Sequence, residues 1–196
     1  MTSDDGGRGF TIRRLRTGDE PLLAALAAEA PVFDLAGRSA PEPPLSPADA
    51  GAYLADPAVF HWVAEEEGTV VGELLCHLLR LPSRHGRELL LYSIGVRVGQ
   101  RRRGVGTALV RTMLVWMESA GVPEAWVLAD NPGAEAFYAA CGFRRGAANE
   151  QGVLMLLDSG RNSASGGASS ARSAPRPRPS SHGARRQDRP VGSAEP

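Results

Sequence analysis

Hydrophobic residues recur with two different periods along residues 10–158. Alternating or short continuous apolar runs predict strands, whereas apolar residues spaced three and four apart predict helices. The predicted strands span residues 10–16, 59–64, 69–81, 87–98, 124–129, 143–145 and 153–157. The predicted helices span residues 20–30, 47–56, 104–120 and 133–141. This mixture of both element types in one stretch predicts an α/β (α+β) domain.

Capping residues support two of the predicted helix starts. Asp19 and Ser46 each stand where a side-chain oxygen could accept from the first helical N–H groups, and Asn131-Pro132 is predicted to open the fourth helix. Proline follows Ser46 and Asn131 directly, and proline suits the first helical position. Gly121 and Gly142 are placed to end the third and fourth helices.

The segments between these elements are polar or rich in glycine and proline. We expect loops at residues 37–44 and 83–86, and a hairpin tip at residues 65–68 whose glutamates are solvated. Residues 1–9 are predicted to be a flexible N-terminus. Residues 159–196 are rich in Arg, Pro and Ser without apolar periodicity, so we predict a disordered tail.

The charge of the chain divides unevenly between the predicted domain and its tail. The whole chain has 22 basic and 22 acidic residues, but residues 1–158 carry 15 − 20 = −5 and residues 159–196 carry 7 − 2 = +5. The arginines of the tail lack interleaved aromatic residues, so we favour disorder over a nucleic-acid partner. The acidic N-terminus and the lack of an apolar run of about 20 residues predict a cytoplasmic protein without a membrane partner. Cys76 and Cys141 lack metal-ligand spacing and are predicted to be packed thiols, so no metal site is expected.

Residues 92–107 combine a strand, a basic glycine turn and a helix start. Backbone N–H groups and the positive end of a helix dipole then converge on one point, which favours an anionic phosphate group. A Rossmann fingerprint would need a third glycine where Leu109 stands, and a Walker A loop would need a lysine, which this chain lacks. The turn therefore predicts a different kind of diphosphate site.

A second motif follows the turn in the order that a known family shows. Arg101, Gly104 and Gly106 match the Q/R-x-x-G-x-G/A motif of the GCN5-related N-acetyltransferase (GNAT) superfamily. Its N-x-x-A-x-x-F-Y-x-x-x-G-F signature is matched at the positions Asn131, Ala134, Phe137, Tyr138, Gly142 and Phe143. Over residues 10–158 the chain therefore resembles this superfamily.

The resemblance implies a fold, a co-substrate and a set of binding residues. The fold would be a central mixed, twisted sheet of about six to seven strands flanked by about four helices. Acetyl-CoA would donate the acetyl group, and its pantetheine arm would pair with a strand that splays away from its neighbour. The implied acetyl-CoA-binding residues are Ile94, Gly95, Val96, Arg101, Arg102, Arg103, Gly104, Val105, Gly106, Thr107, Asn131 and Tyr138.

The implied reaction needs a proton donor for the thiolate and a proton acceptor for the amine. A phenol near the thioester could serve as the donor, and Tyr138 is the predicted residue. Glu88 is the first candidate for the base, with Glu73 and His77 as further candidates and water as an alternative. Cys141 is interpreted as a packed thiol because direct attack needs no covalent enzyme intermediate.

A finer resemblance concerns the amine acceptor. The cues are a helix end at Tyr53-Leu54, the run Val70-Val71-Gly72 and the spacing Glu88-x-x-x-Tyr92-x-x-x-Val96. With them, residues 56–96 resemble the aminoglycoside 3-N-acetyltransferase type I branch, which carries an aspartate where this chain has Ser93. Ser93 is therefore the predicted substrate-binding position, and the acceptor is predicted to be a small-molecule amine. Residues 34–44 and 82–87 would form the acceptor loops. A protein or peptide acceptor, a non-catalytic acyl-CoA-binding module and a homodimer remain alternatives.

Overall fold

A computed structural model of the chain describes residues 9–33, 41–82, 86–149 and 152–158. The predictions for residues 1–8, for residues 34–40 of the acceptor loop, for residues 83–85 and for the tail from residue 159 lie outside the described residues. No described helix is long and apolar enough to cross a membrane.

Seven strands form one mixed sheet. They are β1 Thr11–Arg14, β2 Val59–Glu66, β3 Thr69–Arg80, β4 Arg87–Val96, β5 Glu124–Ala129, β6 Arg144–Asn149 and β7 Gly152–Asp158. Their spatial order is β1-β2-β3-β4-β5-β7-β6. Neighbours are antiparallel except β4 and β5, which are parallel. With four α-helices, this arrangement confirms the predicted mixed sheet.

The helices are α1 Glu20–Phe33, α2 Pro47–Ala55, α3 Val105–Ala120 and α4 Pro132–Ala140. The predicted cap of α2 is confirmed, because Ser46 Oγ accepts from the Asp49 N–H at 3.2 Å. Helix α4 is capped as well, by Asn131 Oδ1, which accepts from the Ala134 N–H at 2.9 Å. Helix α3 ends at Gly121, whose φ of 67° is left-handed as predicted.

Helix α1 differs from its prediction at both ends. It continues past Pro31 to Phe33, because Phe33 packs into a buried cluster with Leu26 and Val63. The Asp19 carboxylate turns back from the helix, where it accepts from Arg13 Nη1 and from the Arg16 N–H, each at 2.9 Å. Tertiary packing thus overrides the local signals that suggested an end at residue 30.

The β2–β3 hairpin is tighter than predicted, and two of its glutamates are not solvated. Strand β2 runs through Glu66, so only Glu67 and Gly68 form the turn, with φ values of 49° and 76°. Glu65 accepts two hydrogen bonds from the Arg13 guanidinium, at 2.9 and 3.0 Å. Glu66 accepts two from the Arg103 guanidinium, at 2.8 and 2.7 Å. The prediction of a solvated tip was wrong for both, because their partners lie far along the chain.

The two faces of the sheet are covered by different helices. A Cβ built on Gly72 of β3 would lie 2.6 Å from Val105 Cγ1 of α3, so α3 packs directly on that face. A Cβ built on Gly95 of β4 would lie 2.8 Å from Phe33 Cβ, so α1 packs on the other face. The larger core cluster contains buried α3 residues, including Leu109 and Met113, and Tyr138 of α4. The sheet thus separates an α3 side, which α4 shares, from an α1 side.

Replacing Gly72 with alanine should destabilise the protein, because the added methyl group would overlap Val105 in a closely packed core. We expect a loss of about 1–3 kcal/mol in the free energy of unfolding, measured by urea denaturation. Gly51→Ala is the matched control, since no atom lies within 4 Å of the Cβ position on Gly51. As a helical substitution it should stabilise by about 0.5–1 kcal/mol. Equal stabilities of the two variants would contradict the close α3–β3 contact.

Candidate active site

Strand β4 separates from its parallel neighbour halfway along its length. The two strands pair only at Leu89–Ala125 and Leu90–Trp126. Beyond that point β5 continues beside β7 as far as Ala129, while β4 stays beside β3 as far as Val96. Residues 91–96 therefore face a gap on the β5 side, which is the splay that the family resemblance requires.

A β-bulge marks the point of separation. Leu75 of β3 pairs with Ser93, but the next residue, Cys76, pairs with Leu91, so Tyr92 is an extra residue in β4. A bulge bends its strand and increases the local twist. The bulge therefore lies where β4 turns away from β5, and it re-aims the residues that follow it.

Backbone groups of β4 point into the gap beyond the bulge. The Arg97 N–H donates to the Val71 carbonyl of β3 at 3.0 Å. Because backbone polar groups alternate in direction along an antiparallel strand, those of Ile94 and Val96 point away from β3. The Val96 carbonyl accepts from Arg101 Nε at 3.0 Å on that side. The predicted backbone contacts of Ile94 and Val96 with a ligand therefore have the required direction, while Gly95 faces β3.

The predicted extension of β4 to Val98 was wrong. Residues Val98–Gln100 instead form a 3₁₀ turn, in which the Gln100 N–H donates to the Arg97 carbonyl at 2.8 Å. Arg102 and Gly104 then adopt left-handed backbone conformations, with φ values of 65° and 82°. This compact turn carries the chain from the end of β4 directly to the start of α3.

The start of α3 has no side-chain cap. Gly104 occupies the N-cap position and offers no side-chain oxygen, in contrast to the caps of α2 and α4. The N–H groups of the first helical residues, Val105, Gly106 and Thr107, have no carbonyl partner within the helix. Together with the positive end of the helix dipole, these N–H groups could hold an anionic group such as a diphosphate.

The small size of Gly106 has a packing role as well. A Cβ built there would lie 3.2 Å from the ring of Phe137 in α4. The two family motifs therefore meet in the structure, because the aromatic residue of the second motif packs on the last glycine of the first. This contact fixes the start of α3 relative to α4.

The three arginines of the turn have different roles in the structure. Arg101 holds the Val96 carbonyl, and Arg103 is paired with Glu66. Arg102 is exposed and has the left-handed backbone. Because Arg102 is exposed and takes no part in either of these contacts, its guanidinium could reach an anionic ligand.

Tyr138 is buried on the α3 side of the sheet. Its side chain packs against Phe137 and Phe143, with ring centroids 5.3 and 5.4 Å away. Burial raises the pKa of the phenol, and the neighbouring Cys76 adds to the shift. Cys76 pairs with Leu91 at the bulge, so the phenol lies in the part of the core next to the separation of β4 from β5. A phenol with this pKa stays protonated near neutral pH and can donate a proton or a hydrogen bond.

Both cysteines have the packed character that the sequence predicts. Cys76 is fully buried beside Met113, with 3.7 Å between the two sulfur atoms, and burial raises the pKa of its thiol. Cys141 is half-buried, and burial raises the pKa of its thiol although a hydrogen bond with Thr107 opposes the shift. Within the described residues, no three His, Cys, Asp or Glu side chains form a group that could hold a metal ion.

Asn131 serves as a helix cap in the structure. Its Oδ1 accepts from the Ala134 N–H, and its Nδ2 donates to Asp130 Oδ1 at 2.9 Å. It stands at the end of β5, beside the gap, so the predicted ligand contact stays a prediction. The capping role explains why the second motif begins with asparagine.

The other predicted site residues lie at different heights along β4. Ser93 is exposed, opposite Leu75 and just beyond the bulge. Glu88 lies opposite Leu79, six residues before Ile94, which corresponds to about 20 Å along a strand. The structure therefore brings Ser93 to the gap and does not bring Glu88 there.

Two further candidates for the base occupy β3. His77 stacks edge-on against the exposed ring of Tyr92, with centroids 5.7 Å apart. Glu73 lies directly opposite Gly95 and bonds to His61, whose other ring nitrogen bonds to Tyr53. Sequence reasoning missed His61 and Tyr53. The signal that could have pointed to His61 is its position as a single histidine in the otherwise apolar run of residues 59–64.

Comparisons with known proteins identify the family. The model of the acetyltransferase (GNAT) family matches residues 26–143, which is more than half of the chain. The chain therefore belongs to the acetyltransferase (GNAT) family.

Similar proteins agree with this assignment. N-acetyltransferase family 8 member 3 of Mus musculus is 33% identical over 72 residues, which are 37% of this chain and 32% of that protein. The chain spans less than half the length of the curated relatives it matches.

Solved structures share the fold. The aminoglycoside acetyltransferase meta-AAC0020, from an uncultured soil metagenomic sample, has a TM-score of 0.58 and 24% identity, covering 69% of this chain and 88% of that one. PaiA N-acetyltransferase from Thermoplasma acidophilum, solved in complex with coenzyme A, has a TM-score of 0.57 and 15% identity, covering 76% and 98%.

Replacing Arg102 with glycine should stabilise the turn relative to Arg102→Ala. Both variants lose the guanidinium, but only glycine removes the left-handed strain, which costs a non-glycine residue about 1 kcal/mol. Thermal and urea unfolding should therefore rank glycine above alanine by about that amount. Indistinguishable stabilities would contradict the left-handed conformation at this position.

Proposed function

We propose that this chain is an N-acetyltransferase that transfers the acetyl group of acetyl-CoA to a primary amine of a small molecule. The observation that carries the proposal is the gap beside Ile94 and Val96, which leads directly into the uncapped start of α3. Membership of the acetyltransferase (GNAT) family supports the same activity.

The residues around the gap suit the different parts of acetyl-CoA. The backbone of residues 94–96 would pair with the pantetheine arm in the way that a strand is added to a sheet edge. The N–H groups of residues 102–107 would hold the pyrophosphate, with the exposed Arg102 guanidinium as a charge-assisted donor. Bound in this way, acetyl-CoA supplies an activated acyl group as a thioester.

Tyr138 supplies the acid of the proposed reaction. As the amine nitrogen bonds to the acetyl carbon and the carbon–sulfur bond breaks, Tyr138 gives its proton to the departing thiolate. The proton released by the amine restores the phenol through solvent. The backbone N–H of Ile94 or Val96 would polarise the carbonyl, because these groups point into the gap. No enzyme nucleophile is needed, which agrees with the packed environment of Cys141.

The acceptor is proposed to be a small amine on three grounds. Some fold neighbours are aminoglycoside acetyltransferases, which makes an amine-bearing small molecule a reasonable class. The net charge of −5 over residues 1–158 favours a cationic acceptor. Ser93 stands at the gap in place of the aspartate typical of the aminoglycoside 3-N-acetyltransferase type I branch. This replacement disfavours a polycationic sugar as the acceptor and does not disfavour smaller amines.

An acceptor panel tests the proposed activity. The panel contains sisomicin, spermidine, tyramine and a short peptide with a free N-terminal alanine, each supplied with acetyl-CoA. Free thiol release is measured with and without the amine, and acetyl-CoA binding is measured by isothermal titration. Amine-dependent thiol release with a small amine supports the proposal. Tight acetyl-CoA binding without such release would favour a non-catalytic binding module, and release with the peptide alone would favour a peptide acceptor.

Tyr138→Phe should lower turnover about 10²-fold, the scale of a general acid contribution. Acetyl-CoA affinity should stay close to wild type, because the ring and its packing are kept. In the wild-type enzyme, burial holds the pKa of the phenol above its usual range, so the rate should not fall between about pH 8 and 10 through loss of this proton. The measurement is the steady-state rate of thiol release over that pH range. Unchanged turnover in the variant would remove Tyr138 from the mechanism.

A further inference from the structure

A hydrogen-bonded chain of three side chains crosses the α1 side of the sheet. Tyr53 Oη of α2 lies 3.0 Å from His61 Nδ1 of β2, and His61 Nε2 lies 3.1 Å from Glu73 Oε2 of β3. His61 is only 7% exposed and is the buried polar side chain within the described core. Both of its ring nitrogens are bonded, so the chain fixes the orientation of the imidazole.

The carboxylate of Glu73 sets the direction of the chain, because a carboxylate only accepts hydrogen bonds. Burial, and then the charge of Glu73, raise the pKa of Tyr53 to about 12, so its hydroxyl stays protonated. A neutral imidazole that accepts from Tyr53 donates its other N–H to Glu73. Every member of the chain is then satisfied, and the carboxylate is held by one oxygen.

The carboxylate at the end of this chain lies next to the gap. Glu73 is directly opposite Gly95, and side chains of directly opposite residues lie on the same face about 5 Å apart. Gly95 has no side chain, so no side chain of β4 separates Glu73 from residues 94–96. Phe33 of α1 packs over Gly95 on this face, with its Cβ 2.8 Å from the Cβ position there. The Glu73 side chain keeps 21% of its surface exposed, and Oε2 is the oxygen that His61 holds. Because His61 bonds to Oε2, Oε1 is the oxygen that remains for another donor.

Different groups lie on the two faces of the sheet beside β4. Helix α3 covers the face of Gly72, and Tyr138 belongs to the core cluster on that side. Successive strand residues point to opposite faces, so Glu73 points to the other side, where α1 packs. The α3 side is filled by the core cluster that contains Tyr138, whereas Ser93 is exposed on the side of Glu73, next to the part of β4 that Phe33 covers. The open approach for an amine is therefore on the side of Glu73.

We infer that Glu73 is the general base of the acetyl transfer and that His61 and Tyr53 position it. This inference rests on the proposed N-acetyltransferase function. The acceptor ammonium passes one proton to the Glu73 carboxylate, which becomes a carboxylic acid, and the neutral amine then forms the new nitrogen–carbon bond. Glu73 returns the proton to solvent after the product leaves. The carboxylate also binds the cationic acceptor before the transfer.

Other charged groups near this chain are already paired with one another. Along the same face of β2, Glu65 is paired with Arg13 of β1. At the end of β4, Arg97 pairs with Glu29 of α1 and its Nε donates to the Val70 carbonyl at 3.0 Å. Glu88 lies about 20 Å along β4 from Ile94. Among the described carboxylates near the gap, Glu73 combines the right height on the sheet with a fixed orientation.

Glu73→Gln tests the role of the base. With the most active amine of the panel, kcat/KM for that amine should fall about 10²-fold at pH 7, while acetyl-CoA affinity changes less than about twofold. The loss should shrink as the pH rises toward the pKa of the amine, because the free amine then forms without a base. Glu73→Asp keeps a carboxylate and should retain more activity than Glu73→Gln. Glu118→Gln, exposed on the outer face of α3, is the matched control and should keep the wild-type rate.

Tyr53→Phe tests the positioning role. Loss of the hydroxyl frees His61 Nδ1, so kcat should fall several-fold with KM for acetyl-CoA unchanged, and the acid limb of the pH–rate profile should move. A purely structural chain would change the unfolding midpoint without changing the profile.

The outcomes separate this inference from the proposed function. If the wild-type protein acetylates the amine and Glu73→Gln is as active as wild type at every pH, the assignment of Glu73 as base is overturned. The proposed function then stands. If Glu88→Gln loses most of its activity while Glu73→Gln keeps the wild-type activity, Glu88 is the base and the assignment of Glu73 is likewise overturned. Absence of amine-dependent thiol release from the wild-type protein would overturn the proposed function, and the base with it.

Discussion

The separation of β4 from β5 is the constraint on which the site depends. A strand inside a sheet normally has both backbone edges paired, and unpaired polar groups that are shielded from water are costly. Here residues 91–96 keep β3 as a partner on one side only. The bulge at Tyr92 redirects β4, and the contact of Phe137 with Gly106 fixes α3 where the open edge ends. An extended ligand that pairs with this edge would complete the sheet.

The same constraint gives the reaction its geometry. Because β4 is a strand, consecutive residues serve opposite faces, so the groups that flank the gap come from separate parts of the fold. Tyr138 approaches from the α3 side and Glu73 from the α1 side. In the proposed reaction, an acid and a base placed in this way would act from opposite sides of the carbonyl carbon. Arg97, which follows the open edge, links it to Glu29 and therefore to α1.

Local patterns predicted the features that depend on local physics. Ser46 was recognised as a cap because capping involves only the next few residues, and the helix start at Asn131-Pro132 and the helix end at Gly121 were recognised for the same reason. The mixed sheet and the acetyltransferase (GNAT) family followed from two motifs whose spacing survives in the structure. The 3₁₀ turn at Val98–Gln100 was missed because an apolar residue next to a strand carries no signal for it.

Contacts between residues that are distant in sequence could not be predicted from the sequence. The Arg103–Glu66 pair and the Tyr53–His61–Glu73 chain join elements that are distant in sequence, so no local spacing marks them. This explains why Glu66 was expected in solvent and why no local signal separated Glu73 from Glu88 as a candidate base. Hydrogen–deuterium exchange of the peptide covering residues 91–97, with and without acetyl-CoA, tests the central account most directly. The account predicts slower exchange of the Ile94 and Val96 amides when acetyl-CoA binds; unchanged exchange there under saturating acetyl-CoA would contradict it.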